Sequence, residues 1–175
     1  MRIEKPERAF LVTLWTYGGV PLFNAPHAAL LFCRALAQLR QRLGLRLHAY
    51  VVLPDRVRLI LAARDDDPGW VRVAVQRLKS RFAREWNART GRLGLVWQDA
   101  DQRLPLRDAD DVRRRADLLH RAPVLAGLAA DPGAWRFSSA RIWEGSGRAP
   151  APVDLPAPVA GRTARAGEAP GPLSG

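Results

Sequence analysis

The chain is poor in the residues from which most enzymatic sites are built. Among its 175 residues there is one cysteine, Cys33, which rules out an intrachain disulfide and a thiolate metal cluster. Cys33 lies in an apolar helical run, where a buried and inert thiol is expected. Tyrosine occurs only at Tyr17 and Tyr50, and histidine only at His27, His48 and His120. Lysine is confined to Lys5 and Lys79, so nearly all of the positive charge is arginine. No run approaches the roughly 18 apolar residues that a membrane span requires. The opening MRIEKPERAF lacks the apolar stretch of a signal peptide, and a reducing, cytoplasmic setting is the expectation.

Acid is scarce as well. Seventeen Asp and Glu stand against 28 Lys and Arg, giving a net charge of +11 and a pI near 11.4. A domain this basic points to nucleic acid or another polyanion, with a merely solvated basic surface as the plainer reading. With 47% hydrophobic residues, the chain suits one domain with a proper core.

The pattern of elements is clear along most of the chain. Phe10 to Thr16 reads as a strand ended by Gly18-Gly19, and Pro26 opens a helix through Leu43, stopped by Gly44. Leu47–Leu53 and Val57–Leu61 form a hairpin across Pro54-Asp55. A second helix follows Asp65-Asp66-Asp67-Pro68 and runs to about Arg89, with Val71, Val75, Leu78, Phe82 and Trp86 as its apolar stripe. A last strand falls within Leu95–Arg107, where Trp97 is expected in the core, with a base-stacking surface as the alternative. Asp99 and Asp101 are expected as exposed loop carboxylates. Asp108 caps a further helix, predicted to end at Pro123. The order βαββαβ plus one helix predicts an α+β, ferredoxin-like sandwich: an antiparallel sheet with helices on one face, and an extra C-terminal helix. The folded domain is placed at residues 1–144. Residues 145–175 are rich in Ala, Pro and Gly, contain no aromatic, and are expected to be disordered.

The hairpin carries the most specific chemistry. Arg56 and Arg58, at i and i+2, project from one side of its second strand. Imidazoles at that spacing beside a turn would chelate a divalent metal. Guanidiniums offer donors only and keep their protons, so the pair suits an anion. On the second helix, Arg72 and Lys79 flank the apolar stripe on one side, as a second candidate nucleic-acid-binding edge. Ser138-Ser139 is expected to cap a turn or helix, and His48 and His120 to make structural hydrogen bonds.

Five landmarks in order carry a resemblance: LHAYVVLPD before the second hairpin strand, LKSRFAREWN at Leu78–Asn87, Val96-Trp97-Gln98, His120 with Pro123-Val124 and Ala126-Gly127-Leu128, and WRFSSAR at Trp135–Arg141. Over Phe10 to Trp143 the chain resembles the REP-associated tyrosine transposases, within the single-tyrosine HUH transposases of the insertion-sequence-200 type. The resemblance implies a strand bearing His-hydrophobe-His that binds Mg²⁺ or Mn²⁺, and a helical tyrosine that attacks a DNA phosphodiester. The metal polarises the phosphate and neutralises charge in the transition state. At the matching positions stand Arg56 and Arg58 for the histidines, Leu118 for the tyrosine, and Ala122 for a further polar residue near the metal. The resemblance therefore implies a degenerate member without the metal ligands and the nucleophile, binding single-stranded or hairpin DNA, and by analogy a homodimer. Two alternatives are an active metal-dependent transposase using other residues, and a basic module for RNA or a protein partner.

Overall fold

The computed structural model describes residues 5–157. Its elements are β1 (Arg8–Thr16), α1 (Pro26–Leu43), β2 (Arg46–Leu53), β3 (Arg56–Ala63), α2 (Trp70–Thr90), β4 (Trp97–Leu106), α3 (Ala109–Leu125) and α4 (Ala140–Trp143). The strands form one antiparallel sheet in the order β2-β3-β1-β4, the ferredoxin-like arrangement expected. Helix α1 starts at Pro26, where a missing N–H costs nothing, and ends at Gly44, whose φ of 61° is the left-handed conformation that glycine adopts without strain.

Alternation along the strands divides the side chains between two cores. Val12, Leu14, Val57, Leu59 and Leu61 meet α1 and α2 on one face. That core centres on an aromatic cluster in which Phe23, Phe32, Phe82 and Trp97 lie with ring centres 5.5 to 5.9 Å apart. Leu11, Ala49, Val51, Ile60 and Ala62 point the other way, onto Val112, Ala116 and Leu119 of α3. The extra helix thus covers the second face of the sheet, a position that element order alone leaves open.

Two expectations are corrected. Pro123 does not end α3: the helix runs through it to Leu125 and closes where Gly127 adopts φ 72°. Nor is the chain structureless from residue 145. Ala151 and Asp154 pack on the outer edge of β2, while residues 158–175 lie outside the described residues. Ala151 is fully buried and donates its N–H to the Tyr50 hydroxyl at 2.9 Å. Asp154 donates its N–H to the Leu47 carbonyl at 2.7 Å, while its carboxylate accepts from Arg40 Nε at 2.8 Å and from Leu47 N–H at 3.0 Å. The Asp154 carbonyl lies 2.5 Å from His48 Nδ1. Upstream, Phe137 O accepts from Val52 N–H and Ser139 N–H donates to Tyr50 O, so both stretches satisfy main-chain groups that an edge strand otherwise exposes.

α3 is fastened to this edge by His120, whose Nε2 lies 2.7 Å from Ser139 Oγ; that oxygen also accepts the Tyr50 N–H at 2.9 Å. Ser139 precedes α4, and Ser138 Oγ accepts the Ala140 N–H at 3.0 Å.

Asp154→Ala is expected to lower stability by roughly 1 to 3 kcal/mol in urea denaturation, because two hydrogen bonds from Arg40 and one from Leu47 lose their acceptor. Truncation after Glu144 lowers it further by uncovering Tyr50; an unchanged midpoint for the truncated chain would contradict this account. A second expectation concerns acid. Burial pushes the His120 pKa down from 6.5 to about 4, so the unfolded chain takes up a proton that the fold resists. Stability contributed by the neutral ring is present above pH 6.5 and lost as pH falls toward 4, by at most about 1.4 kcal/mol per pH unit. His120→Gln should flatten that stretch of the melting-temperature profile relative to the unmodified chain; parallel profiles would exclude His120 as the titrating group.

Candidate nucleic-acid interface

Arg56 and Arg58 do share a face of β3, the one turned toward α3. Arg56 has Leu53 and Trp15 as its cross-strand neighbours; Arg58 has Val51 and Thr13, with Gln102 beyond Thr13 on β4. Arg56 is exposed and folds back on Asp55, its Nε donating to Oδ1 at 3.0 Å. Arg58 is half-buried and takes part in no hydrogen bond or ion pair among the described residues. Burial, then the nearby guanidiniums of Arg56 and Arg115, press its pKa below the ordinary arginine value. An arginine keeps its proton even so, leaving a partly desolvated cation beside two others.

Arg115 was not singled out by the sequence. It reaches this face from α3, with its Nε 3.9 Å from Asp111 Oδ1. Asp111 is shared: it accepts the Arg107 N–H at 3.1 Å and lies 3.5 Å from Arg114 and 3.7 Å from the Arg107 side chain. The Arg107 N–H, then Arg114, holds its carboxyl below the usual range. Trp15, partly exposed beside Arg56, was missed too. Its place on this face follows from the β1–β3 register, which no local pattern discloses.

Leu118 is 52% exposed on α3, one turn beyond Arg115, with the half-buried Ala122 one turn further. The position that the resemblance matches to the nucleophile thus lies on the helix that brings Arg115 to the two strand arginines, but a leucine side chain has nothing to attack with. The divalent metal implied by the resemblance does not fit these residues, because guanidiniums have no lone pair to donate. Among the described residues no group of three or more His, Cys, Asp and Glu side chains is placed to hold a metal ion. His27 packs on Trp86, His48 lies between Asp154 and Glu7, and His120 bonds Ser139, so the histidines are dispersed.

Arg72 and Lys79 lie on α2, in the opposite layer from Arg56 and Arg58, so the four do not form one site. Arg72 is exposed. Lys79 turns inward on β4: its Nζ donates to Gln98 O at 2.8 Å and Asp99 O at 3.3 Å and lies 3.7 Å from Asp101. Asp101 is correspondingly no loop carboxylate. It sits within β4 with a side chain only 6% exposed, held by Lys79 and, at 2.7 Å, by Arg103. Asp99 is exposed, as expected, but belongs to the strand. Trp97 is buried and donates its indole N–H to Lys79 O at 3.1 Å, which leaves no open ring face for a base.

No family model and no curated protein matches the chain. Among solved structures it is similar to a REP-associated tyrosine transposase bound to a REP hairpin, at 21% identity over 91% of this chain and 93% of that one, with a TM-score of 0.61. A protein of Deinococcus radiodurans assigned as a transposase aligns at 20% identity over 67% of this chain and 91% of that one; its TM-score of 0.44 is too low to support an argument. No helix among the described residues is long and apolar enough to cross a membrane. The chain has the fold of a REP-associated tyrosine transposase.

Proposed function

We propose that this chain is a degenerate member of that transposase family, a DNA-binding protein that has exchanged phosphodiester chemistry for phosphate binding. Arg58 carries the reading: a partly desolvated guanidinium with no anionic partner among the described residues, flanked by Arg56 and Arg115, on the strand position where the family resemblance puts a metal ligand. A metal held there would face a DNA phosphate. Guanidiniums supply positive charge to the same oxygens through charge-assisted, bidentate hydrogen bonds, without activating a nucleophile. Trp15 adds a partly exposed indole next to Arg56, a surface on which an unpaired base can stack. The favoured ligand is therefore single-stranded or hairpin DNA, a hairpin being what the similar transposase holds.

The test is fluorescence anisotropy on a labelled DNA hairpin with a single-stranded extension, across a salt series. Replacing Arg56, Arg58 and Arg115 together by glutamine should weaken binding about tenfold or more. It should also make the log–log salt slope shallower by about 2, since each phosphate contact to a single strand contributes about 0.7. Equal affinity and slope for the triple variant would remove this face from the binding site. Incubation of the unmodified protein with the same hairpin and Mn²⁺ should leave no covalent adduct on a denaturing gel; an adduct would make the chain an active transposase working through other residues.

A further inference from the structure

The helical layer on the far side of the sheet holds a second concentration of arginine. Between α1 and α2 opens a cleft of about 840 Å³ whose walls carry Arg42 on α1 and Arg77, Arg81 and Arg84 on α2. Its floor is partly apolar, with Leu39 and Ala88. One acid, Glu85, stands there, 3.6 Å from Arg81. Arg42, Arg77 and Arg84 are exposed and have no ion pair among the described residues. The Arg81 Nε is buried and faces Glu85 beyond hydrogen-bond reach, so the one acid answers one of the four guanidiniums. Four guanidiniums against one carboxylate repel one another, and an anion in the cleft relieves that repulsion.

The arrangement also indicates which anion. On α2, Arg77, Arg81 and Arg84 follow at i, i+4 and i+7, one stripe about 10 Å long. Along the axis of a duplex each strand presents a phosphate about every 3.4 Å, so such a stripe laid along the axis spans roughly three phosphates. No aromatic side chain lines the cleft among the described residues, so an unpaired base finds nothing there on which to stack. We propose that the α1–α2 cleft is a second nucleic-acid site, taking the phosphodiester backbone of a duplex on the layer opposite Arg58. Duplex and single strand would then be held on opposite faces, as a hairpin stem and its flanking strand, or as two separate molecules.

This site is independent of the sheet face, and the experiment separates the two. In the full chain, Arg42, Arg77 and Arg84 are changed together to glutamine; all three are exposed, so the melting temperature should stay unchanged. Binding is read by anisotropy on a blunt duplex of about 20 base pairs and on one of its strands, across salt. The duplex affinity should fall at least tenfold and its salt slope become shallower by about 2 to 3, at about 0.9 per phosphate, while single-strand binding stays within twofold. Arg→Lys replacements at the same positions should restore most of the slope. An unchanged duplex slope for the glutamine variant would overturn the proposal, and so would an equal loss on the single strand. The Arg56, Arg58 and Arg115 variant should show the reverse pattern, so each face fails or stands on its own ligand.

Discussion

The register of β3 is the constraint on which the rest hangs. This strand has a partner on each side, and both faces of the sheet are covered, so its alternation admits one solution. Val57, Leu59 and Leu61 belong to the aromatic core under α1 and α2; Arg56, Arg58, Ile60 and Ala62 face α3. A slip of one residue would drive two guanidiniums into the cluster of Phe23, Phe32 and Phe82, at a desolvation cost of several kcal/mol each. Pairing with Trp15 and Thr13 on one side and Leu53 and Val51 on the other then fixes what surrounds each arginine. The candidate interface is thus a by-product of the same alternation that builds the core.

How the fold spends its acids sharpens the meaning of the arginines left over. Asp154 takes Arg40, Asp101 takes Arg103 and Lys79, and Asp111 stands among Arg107, Arg114 and Arg115. Each of these carboxylates joins segments: the chain beyond α4 to α1, α2 to β4, and the β4–α3 connection to α3. With 17 acids for 28 bases, some arginines stand without an acidic partner. Among the described residues they include Arg58 on the sheet face and Arg42, Arg77 and Arg84 along the α1–α2 cleft.

Local chemistry made much of this legible. Pro26 and Gly44 bracket α1, the Pro54-Asp55 turn sets the hairpin, and Asp108 caps α3 through the Asp111 N–H at 2.8 Å. The i, i+2 spacing correctly placed Arg56 and Arg58 on one face. What stayed hidden was non-local. Arg115 meets Arg58 only because α3 crosses the second face of the sheet, and Trp15 stands beside Arg56 through strand pairing. A helical wheel showed Lys79 flanking the stripe, but not the β4 carbonyls that claim it. Composition averaged over residues 145–175 concealed Ala151, Val153 and Asp154, which pack because β2 offers them an unfilled edge. Small residues suit that position, where a main chain must approach another closely.

On the proposed function, arginines standing where the resemblance implies histidines are not a simple erosion of charge. A metal site without its ligands has no cation to attract phosphate; Arg56 and Arg58 supply fixed positive charge on this strand instead. They do so at a cost, since Arg58 is partly desolvated and stands among like charges. A chain under no demand at this position has cheaper options, because any small or apolar residue facing α3 beside Val51 would pack without desolvating a charge. Leu118 is such an inert residue at the position that the resemblance matches to the nucleophile, with its side chain half exposed. The two positions thus differ in kind: Leu118 is an inert side chain, whereas Arg58 is a cation whose desolvation a bound anion would offset.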